Sequence, residues 1–593
     1  MEGAIILHET LHEMHKRKKD GVILKLDFEK AYDKVDWKFL QQTLRMKGFE
    51  PRWCKWIDQV VRGGSVAVKV NDEIGNFFQT KKGLRQGDPL SPLLFNLVAD
   101  MLAVLIQRTS EHGKIHGVIP HLVDDGLSIL QYADDTILFM EHDLEDAKNL
   151  KLVLSAFERL SGLKINFHKS ELLCFGKAIE VEREYALLFG CKTGSYTLKY
   201  LGLPMHYRKL SNKDWKEVEE RFQKRLGSWK GKLLSVGGRL VLINSVLSSL
   251  AMYMLSFFEV PKGIIKKLDY YRSRFFWQSD EHKKKYRLAR WSVLCKPKEC
   301  GGLGIQNLEV QNKCLLRGLA KLVWQNLLRK KYLAKKTIMQ VQKQRGDSHF
   351  WTGLMGVKDT FSSFGSFKLQ DGLQIRFWED CWLGNQSLEK IYPSLYNLVR
   401  NKNVVVAKVL ERVPLNVSFR RAIIGDNLKA WHEIVANVVD INLRGQKDRF
   451  TWDASKNGTF TVNSMYKKLM FGNVIPRQSF IWKLRLPLKI KIFLWYLKEG
   501  VILTKDNLAK RRWKGSLRCC FCRSHETIQY LFFDCPMVIF RGTHWARLWS
   551  LLLKEEDGNM LKNYCKVLEM RVLEFFSNYG WNFRGRIEAY TVV

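Results

Sequence analysis

Leu127-Ser128-Ile129-Leu130-Gln131-Tyr132-Ala133-Asp134-Asp135-Thr136-Ile137-Leu138-Phe139-Met140 is the stretch on which the reading of this 593-residue chain turns. Apolar and β-branched residues run up to a pair of aspartates and resume directly after it. That is the pattern of a β-hairpin with two carboxylates at its tip. Adjacent like charges at a turn repel, and either water or a divalent cation relieves the repulsion. Two hard oxygen donors, joined by a third carboxylate from elsewhere, suit Mg²⁺. Two such ions about 3.5–4 Å apart can activate a hydroxyl and stabilise a leaving phosphate oxygen. An isolated Tyr-x-Asp-Asp is equally a solvated turn, so the weight falls on what precedes it.

Upstream, Gly21-Val22-Ile23-Leu24-Lys25-Leu26-Asp27-Phe28-Glu29-Lys30-Ala31-Tyr32-Asp33 reads as an apolar strand running into acidic residues, after a short helical pattern over 5–14. Asp27 projects from the strand end, or else stands at the N-terminus of a helix over 29–40. Trp53, Trp56 and Ile57 fall on a helical pattern, and 65–70 with 77–80 form a hairpin around Asn71-Asp72-Glu73-Ile74-Gly75-Asn76. Next come Lys82-Gly83-Leu84-Arg85-Gln86-Gly87-Asp88-Pro89-Leu90-Ser91-Pro92 and an apolar helix over 93–106. Gly83 and Gly87 allow the backbone to approach a ligand closely, and the prolines suit a helix start. A glycine-containing turn there favours an anion such as a nucleotide or template phosphate. A plain loop-to-helix junction accounts for the same residues.

The order of these blocks is more specific than any one of them: an Asp-ended strand, a Gly-Gln-Gly-type loop with its helix, then Tyr-Ala-Asp-Asp, within about 110 residues. Together they resemble the palm of reverse transcriptases, in particular the non-LTR (LINE-type) retrotransposon family of plants. Gly162-Leu163-Lys164-Ile165-Asn166-Phe167-His168-Lys169-Ser170 and Lys199-Tyr200-Leu201-Gly202-Leu203-Pro204 look like that family's next two blocks. The resemblance implies that Asp27, Asp134 and Asp135 hold two Mg²⁺ ions. It places Tyr32 beneath the incoming sugar, Gln86 and Gly87 along template and nucleotide, and Leu201 and Gly202 in a primer-gripping hairpin. Lys169 matches a lysine proposed to protonate departing pyrophosphate. Core packing for Tyr32 and a solvated turn for Lys169 are the plain alternatives.

Composition agrees with a polyanionic partner. The chain has 98 Lys+Arg against 60 Asp+Glu, a formal charge of +38, which is more one-sided than solubility requires. Basic residues concentrate in the helical pattern from Trp215 to Trp277, including Arg221, Lys224, Arg225, Lys262, Lys266 and Lys267. By position this resembles a polymerase thumb, where such side chains would contact phosphates. Within it, 240–258 has no charged residue and is long enough to span a bilayer. Asn244, Ser245, Ser248, Ser249 and Ser256 recur on one side, so a buried amphipathic helix of a soluble domain is expected and no membrane partner. The aromatic residues of 371–384 read as core.

Four of the 12 cysteines cluster in Cys519-Cys520-Phe521-Cys522-Arg523-Ser524-His525-Glu526-Thr527-Ile528-Gln529-Tyr530-Leu531-Phe532-Phe533-Asp534-Cys535-Pro536. The short apolar patch before the basic run His15-Lys16-Arg17-Lys18-Lys19 does not read as a secretory signal, so a reducing compartment is expected and metal binding is the first reading. With 460–469 and 481–496 the cluster resembles the zinc-binding module of these enzymes. Cys519, Cys522 and Cys535 match, but Tyr530 stands where the family has histidine, and a neutral phenol is a poor zinc ligand. Cys520, His525 or His544 could supply the fourth ligand; a decayed module folding without metal is the rival.

The expected architecture is α+β: a right-hand polymerase palm over 1–205 with its fingers largely missing, a helical thumb-like region over 206–290, a mixed α/β connecting region over 291–458, a small mainly helical zinc-binding module over 459–550 and a tail over 551–593. The beginning of the chain suggests a fragment of a longer reading frame. The function implied by the resemblance is RNA-directed DNA polymerisation, with an RNA template, a DNA primer and dNTPs as partners and the nucleus as location. A truncated relic that binds nucleic acid without catalysis is the alternative. Oligomeric state is not legible.

Overall fold

The computed structural model describes residues 2–194, 198–228, 233–277, 286–318, 325–334, 336, 338, 341–384, 386–472, 480–521, 524–553 and 555–579. Helix and sheet are mixed throughout. The chain divides into two compact units. Met1–Arg221, Leu250–Lys267 and Leu308–Leu469 make the first; Phe222–Ser249, Leu268–Asn307 and the chain from Met470 on make the second.

The first unit is built on a five-stranded sheet. Its strands are β1 (Gly21–Leu26), β2 (Ile129–Tyr132), β3 (Asp135–Met140), β4 (Glu171–Phe175) and β5 (Lys192–Thr193), in the order β2-β3-β1-β4-β5. All neighbours are antiparallel except β4 and β5. β1 is central and covered on both faces, which is why it reads as a nearly unbroken apolar run. Val22, Leu24 and Leu26 join Leu138, Met140, Leu172 and Cys174 on one face, packed on three helices: α2 (Trp37–Met46), α3 (Ser91–Glu111) and α4 (Leu144–Ser161). Ile23, Ile137, Phe139 and Leu173 fill the other face, on the side of α1 (Glu2–Lys16), which packs against β2.

The expected helix over 29–40 is broken. One turn, Ala31–Lys34, is followed by α2, because the Asp36 carboxylate accepts from the N–H groups of Lys38 and Phe39 at 2.7 and 3.0 Å and restarts the helix. The hairpin around 71–76 is present: Ser65–Val66 pairs with Phe78–Gln79, and Lys69–Val70 with Glu73–Ile74. Farther along, the strand pair Gly365–Lys368 and Arg449–Trp452 flanks a cluster built on Ile375, Phe377, Trp378 and Trp382. These aromatic residues are core, as their pattern predicts.

Val236–Leu242 and a π-turn over Ile243–Leu247, both in the second unit, run on into the helix that begins at Ser248. Its polar residues do not form a single stripe. Ser245 and Ser249 are exposed, whereas Ser248 is buried and accepts from the buried Arg272 at 3.2 Å. Asn244 exchanges hydrogen bonds with Gly304 O and Gln306 N. Ser91–Glu111 and Val236–Phe257 are both long and apolar enough to cross a membrane; the first packs within the core just described. The segment 481–496, which resembles part of the zinc-binding module, spans two helices, Phe480–Lys483 and Leu488–Lys498. Helices Pro536–Ser550 and Glu555–Tyr579 pack as a pair, joined by Arg547 Nε to Glu569 at 3.0 Å.

Candidate active site

β1 and β3 pair from Val22 opposite Met140 to Leu26 opposite Thr136. One residue beyond stand Asp27 and Asp135. Across the hairpin Asp135 pairs with Tyr132, leaving Ala133 and Asp134 as a two-residue turn with Ala133 at φ 53°. That left-handed conformation costs a non-glycine residue roughly 1–2 kcal/mol. Strand alternation sets Lys25, Asp27, Asp135, Ile137 and Tyr132 on one face of the sheet. Asp134 is exposed at the turn, and Asp27 and Asp135 are half-buried. Burial raises the Asp135 carboxyl above its ordinary range; the Lys25 ammonium pulls it back, and the charges of Asp134 and Asp27 add to the rise.

The end of β1 is held from a third side. Asp27 N–H donates to Ser170 Oγ at 3.2 Å, and its carbonyl accepts from Asn166 N–H at 2.7 Å. Phe28 bridges Ile165. Lys169, in the same clasp, is exposed, with its backbone N–H on Asn166. Three carboxylates at adjoining strand ends are the donor chemistry a hard divalent cation takes, and the repulsion felt at Asp135 is what a cation relieves. They are neighbours and not a closed set: among the described residues no three Asp, Glu, His or Cys side chains converge as a metal-holding group.

Tyr32 stacks on Phe95 with centroids 4.6 Å apart and rings 18° from parallel. Burial and the charge of Asp134 raise its hydroxyl pKa. The loop 83–87 packs directly on this region: Leu84 N–H donates to Tyr32 O at 2.7 Å, and Gly83 N–H to Val35 O at 2.8 Å. Gly83 sits at φ 93°, where a Cβ would lie 2.6 Å from Asp33 O. The close approach that requires this glycine is therefore to the chain's own backbone and not to a ligand. Gln86 Nε2 is 3.4 Å from Asp33 Oδ1, and Gly87, at φ 94°, faces open space. At the start of α3 the Asp88 carboxylate accepts from Leu90 N–H at 2.8 Å, so a side chain already satisfies one of the donors expected to attract a phosphate.

Leu201 and Gly202 form the turn between β6 (Leu198–Tyr200) and β7 (Leu203–Met205), with φ 48° and 76°. Two positive φ values match the twist of a tight hairpin. Lys25 Nζ donates to Lys199 O at 2.8 Å. This tethers the hairpin to the strand that carries Asp27. Tyr200 is buried, with its pKa pushed up to about 12 by burial and by the nearby Asp135, Tyr253 and Tyr132. Motif reading passed over Lys25, Ser170 and Tyr253. Lys25 was findable, because it precedes Asp27 by two on a strand and must share its face; Tyr253 left no local signal.

Around the cysteine cluster, Cys519 N–H donates to Ser524 O at 2.8 Å and Arg518 bridges His525. Cys519 and Cys535 are buried, Cys520 and His525 exposed. Cys522 lies outside the described residues. Cys535 N–H donates to Tyr530 O at 2.6 Å, closing the π-turn Tyr530–Asp534 ahead of helix Pro536–Ser550. Neither Cys520, His525 nor His544 completes a group of three ligands among the described residues.

Residues 2–205 match the family described as reverse transcriptase (RNA-dependent DNA polymerase), and residues 460–540 the one described as zinc-binding in reverse transcriptase. A putative ribonuclease H protein of Arabidopsis thaliana is 29% identical over 351 residues, covering 56% of each chain. A retrovirus-related Pol polyprotein from the type-2 retrotransposable element R2DM of Drosophila melanogaster is 25% identical over 369 residues, 58% of this chain and 32% of that one. The chain thus spans about half of the first relative's length and a third of the second's. A telomerase structure from Candida tropicalis, 10% identical, aligns over 55% of this chain and 51% of that one at a TM-score of 0.26, too low to bear on the fold. The chain therefore carries a reverse transcriptase domain over residues 2–205 and the zinc-binding module of reverse transcriptases within 460–540, and its relatives include retrotransposon Pol polyproteins.

Proposed function

We propose that this chain is an RNA-directed DNA polymerase of the non-LTR retrotransposon type, with Asp27, Asp134 and Asp135 as its metal-binding carboxylates. The observation that carries the reading is the meeting of Asp27 and Asp135 at the ends of paired strands, with Asp134 in the turn beside them. Bound there, two Mg²⁺ ions would supply charge stabilisation on the phosphate oxygens and a lowered pKa at the primer 3′-hydroxyl. The chain's own part is positional. Ser170 and Asn166 fix the Asp27 backbone, and Lys25 holds the hairpin with Leu201 and Gly202, read as the primer grip, against the same strand. Tyr32, stacked on Phe95 and sensing Asp134, is placed to form the floor under an incoming sugar. Gln86 and Gly87 would lie along the template and the nucleotide, and the exposed Lys169 would protonate the leaving pyrophosphate.

In this reading 1–205 is the palm, 206–290 a thumb-like region, 291–458 a connector, 459–550 the zinc-binding module and 551–593 a tail. Cys519, Cys522 and Cys535 would be zinc ligands, with the fourth from Cys520, His525 or His544. The partners are an RNA template, a DNA primer and dNTPs, and the nucleus is the compartment in which an element copying into chromosomes would act. Primer extension on RNA with Mg²⁺ tests the activity: extension that Asp135→Asn abolishes supports it. Extension equal in wild type and variant removes the site, and salt-sensitive binding without any extension favours a non-catalytic relic. Elemental analysis of the purified chain tests the zinc; one mole per mole supports it and none overturns it.

A further inference from the structure

Large apolar side chains run exposed along the helical hairpin Pro536–Ser550 and Glu555–Tyr579 of the second unit. On the first helix and just past its end they are Trp545, Leu548, Trp549 and Leu552. On the second they are Met560, Tyr564, Val567 and Leu568. The first set falls at i, i+3, i+4 and i+7 and the second at i, i+4, i+7 and i+8, so each is one stripe along its helix. All eight are between 44% and 84% exposed. The seam that joins the two helices uses smaller groups: Thr543, Ser550 and Cys565 are buried, and a Cβ at Gly558 would lie 2.7 Å from Ser550 O. Most of the hairpin's apolar bulk therefore faces solvent, whereas a helix of a self-sufficient unit turns its stripe inward. The stripes lie beyond both family matches, 2–205 and 460–540.

We infer that this hairpin is a self-association surface on which a second copy of the chain docks, the two Glu555–Tyr579 helices crossing antiparallel. Area is the first argument. Eight half-exposed side chains of about 150–250 Å² hold roughly 800 Å². The largest apolar patch on an ordinary monomer is about 300–600 Å², and each partner in a standard interface contributes about 800 Å². Symmetry selects the occupant. Met560 and Leu568 stand on either side of Tyr564 at equal spacing. A twofold axis at Tyr564 sets Met560 of each copy opposite Leu568 of the other, and the two Tyr564 rings against one another. Two hairpins joined in this way form a four-helix bundle with the stripes inside. Charge selects the direction. The acidic first turn, Glu555, Glu556 and Asp557, lies near one end of the helix. Antiparallel crossing at Tyr564 holds the two acidic turns about 24 Å apart at 1.5 Å per residue, beyond a Debye length of about 8 Å. A parallel pair would set them side by side. None of this rests on the polymerase reading.

The test is the mass of the full chain in solution, from light scattering or sedimentation equilibrium over a concentration series up to about 20 µM. The mass should rise with concentration from the 69.5 kDa of one chain toward twice that value. Tyr564→Lys sets two ammonium groups on the axis and should weaken association about hundredfold, because the change enters the interface twice. Its thermal midpoint at low concentration should match the wild type, since the ring is exposed in the single chain. Met560→Glu alone and Leu568→Lys alone should each weaken the dimer. A chain carrying both should regain it, because each Glu then meets a Lys of the other copy. Leu187→Lys, at an apolar residue exposed in the first unit, should leave the mass unchanged. A monomer at every concentration overturns the inference, whether another protein or the chain's own remaining residues cover the stripes. A dimer that Tyr564→Lys leaves intact overturns it equally. Failure of the Met560→Glu, Leu568→Lys combination to restore the dimer overturns the antiparallel crossing.

Discussion

Two charge clusters in the first unit are built on opposite principles. Beneath α1, Glu9 is fully buried, and every partner it has is in place. Lys331 Nζ reaches its Oε2 at 2.9 Å, Tyr332 Oη donates to the same oxygen at 2.8 Å, and Ser348 Oγ to Oε1 at 2.6 Å. Lys331 also bonds Glu13 and His12, and Tyr332 stacks on Trp351 at 4.3 Å. At the strand ends, Asp134 is exposed and Asp27 and Asp135 are half-buried; the charges of Asp134 and Asp27 add to the burial that raises the Asp135 carboxyl, and the Lys25 ammonium works against it. A buried charge must be satisfied or the fold fails; an unsatisfied one near solvent is tolerated because a ligand can complete it. The first cluster is where substitutions should cost stability, and the second where they should cost function.

The largest effect should follow loss of Lys331. Lys331→Met strands Glu9 without its counter-charge, and chemical denaturation should show a loss of about 3–5 kcal/mol; a loss below about 1 kcal/mol would erase the contrast. The same pair sets a pH dependence. Burial works to raise the Glu9 pKa, but Lys331, His8 and Ser348 outweigh it and the pKa is lowered overall. Its stabilisation is therefore full above the ordinary carboxylate value and falls away as pH drops below about 4.5. Unfolding midpoints from pH 7 to 3 should decline less steeply in Glu9→Gln than in wild type, and parallel curves would contradict the assignment. Next in size is the tether. Lys25→Met should speed amide exchange over 198–205 about fivefold, the worth of one exposed hydrogen bond near 1 kcal/mol; unchanged exchange would mean the hairpin is held by packing alone. Smallest is the stability effect at the strand ends. Asp135→Asn should leave the thermal midpoint unchanged or slightly raised, since it removes a carboxylate that burial and its neighbours disfavour. A clear drop would place Asp135 with the structural cluster.

Most of the second cluster could be read from sequence and almost none of the first. β1 announces itself as an apolar run ending at Asp27, and the β2–β3 hairpin as apolar residues flanking Asp134 and Asp135. Both are local patterns of residues close in the chain. Glu9 and Lys331 are 322 residues apart, and neither sits in a pattern that predicts burial; a charged residue in an amphipathic helix reads as solvent-facing until its partner is seen. The helix expected over 29–40 is interrupted because Asp36 caps a new helix instead of continuing the first turn. The serines of 240–258 looked like one polar stripe because sequence spacing cannot tell an exposed hydroxyl from one bonded to a buried arginine. A fourth ligand for the proposed zinc was not legible: no spacing rule chooses among Cys520, His525 and His544.

The most direct measurement is primer extension on an RNA template with Mg²⁺ and dNTPs, comparing the chain with its Asp134→Asn, Asp135→Asn double variant after confirming equal thermal midpoints. Extension by the wild type and none by the variant is the predicted result. Equal extension by both, or none by either while the duplex is still bound, would contradict the assignment of these carboxylates to catalysis.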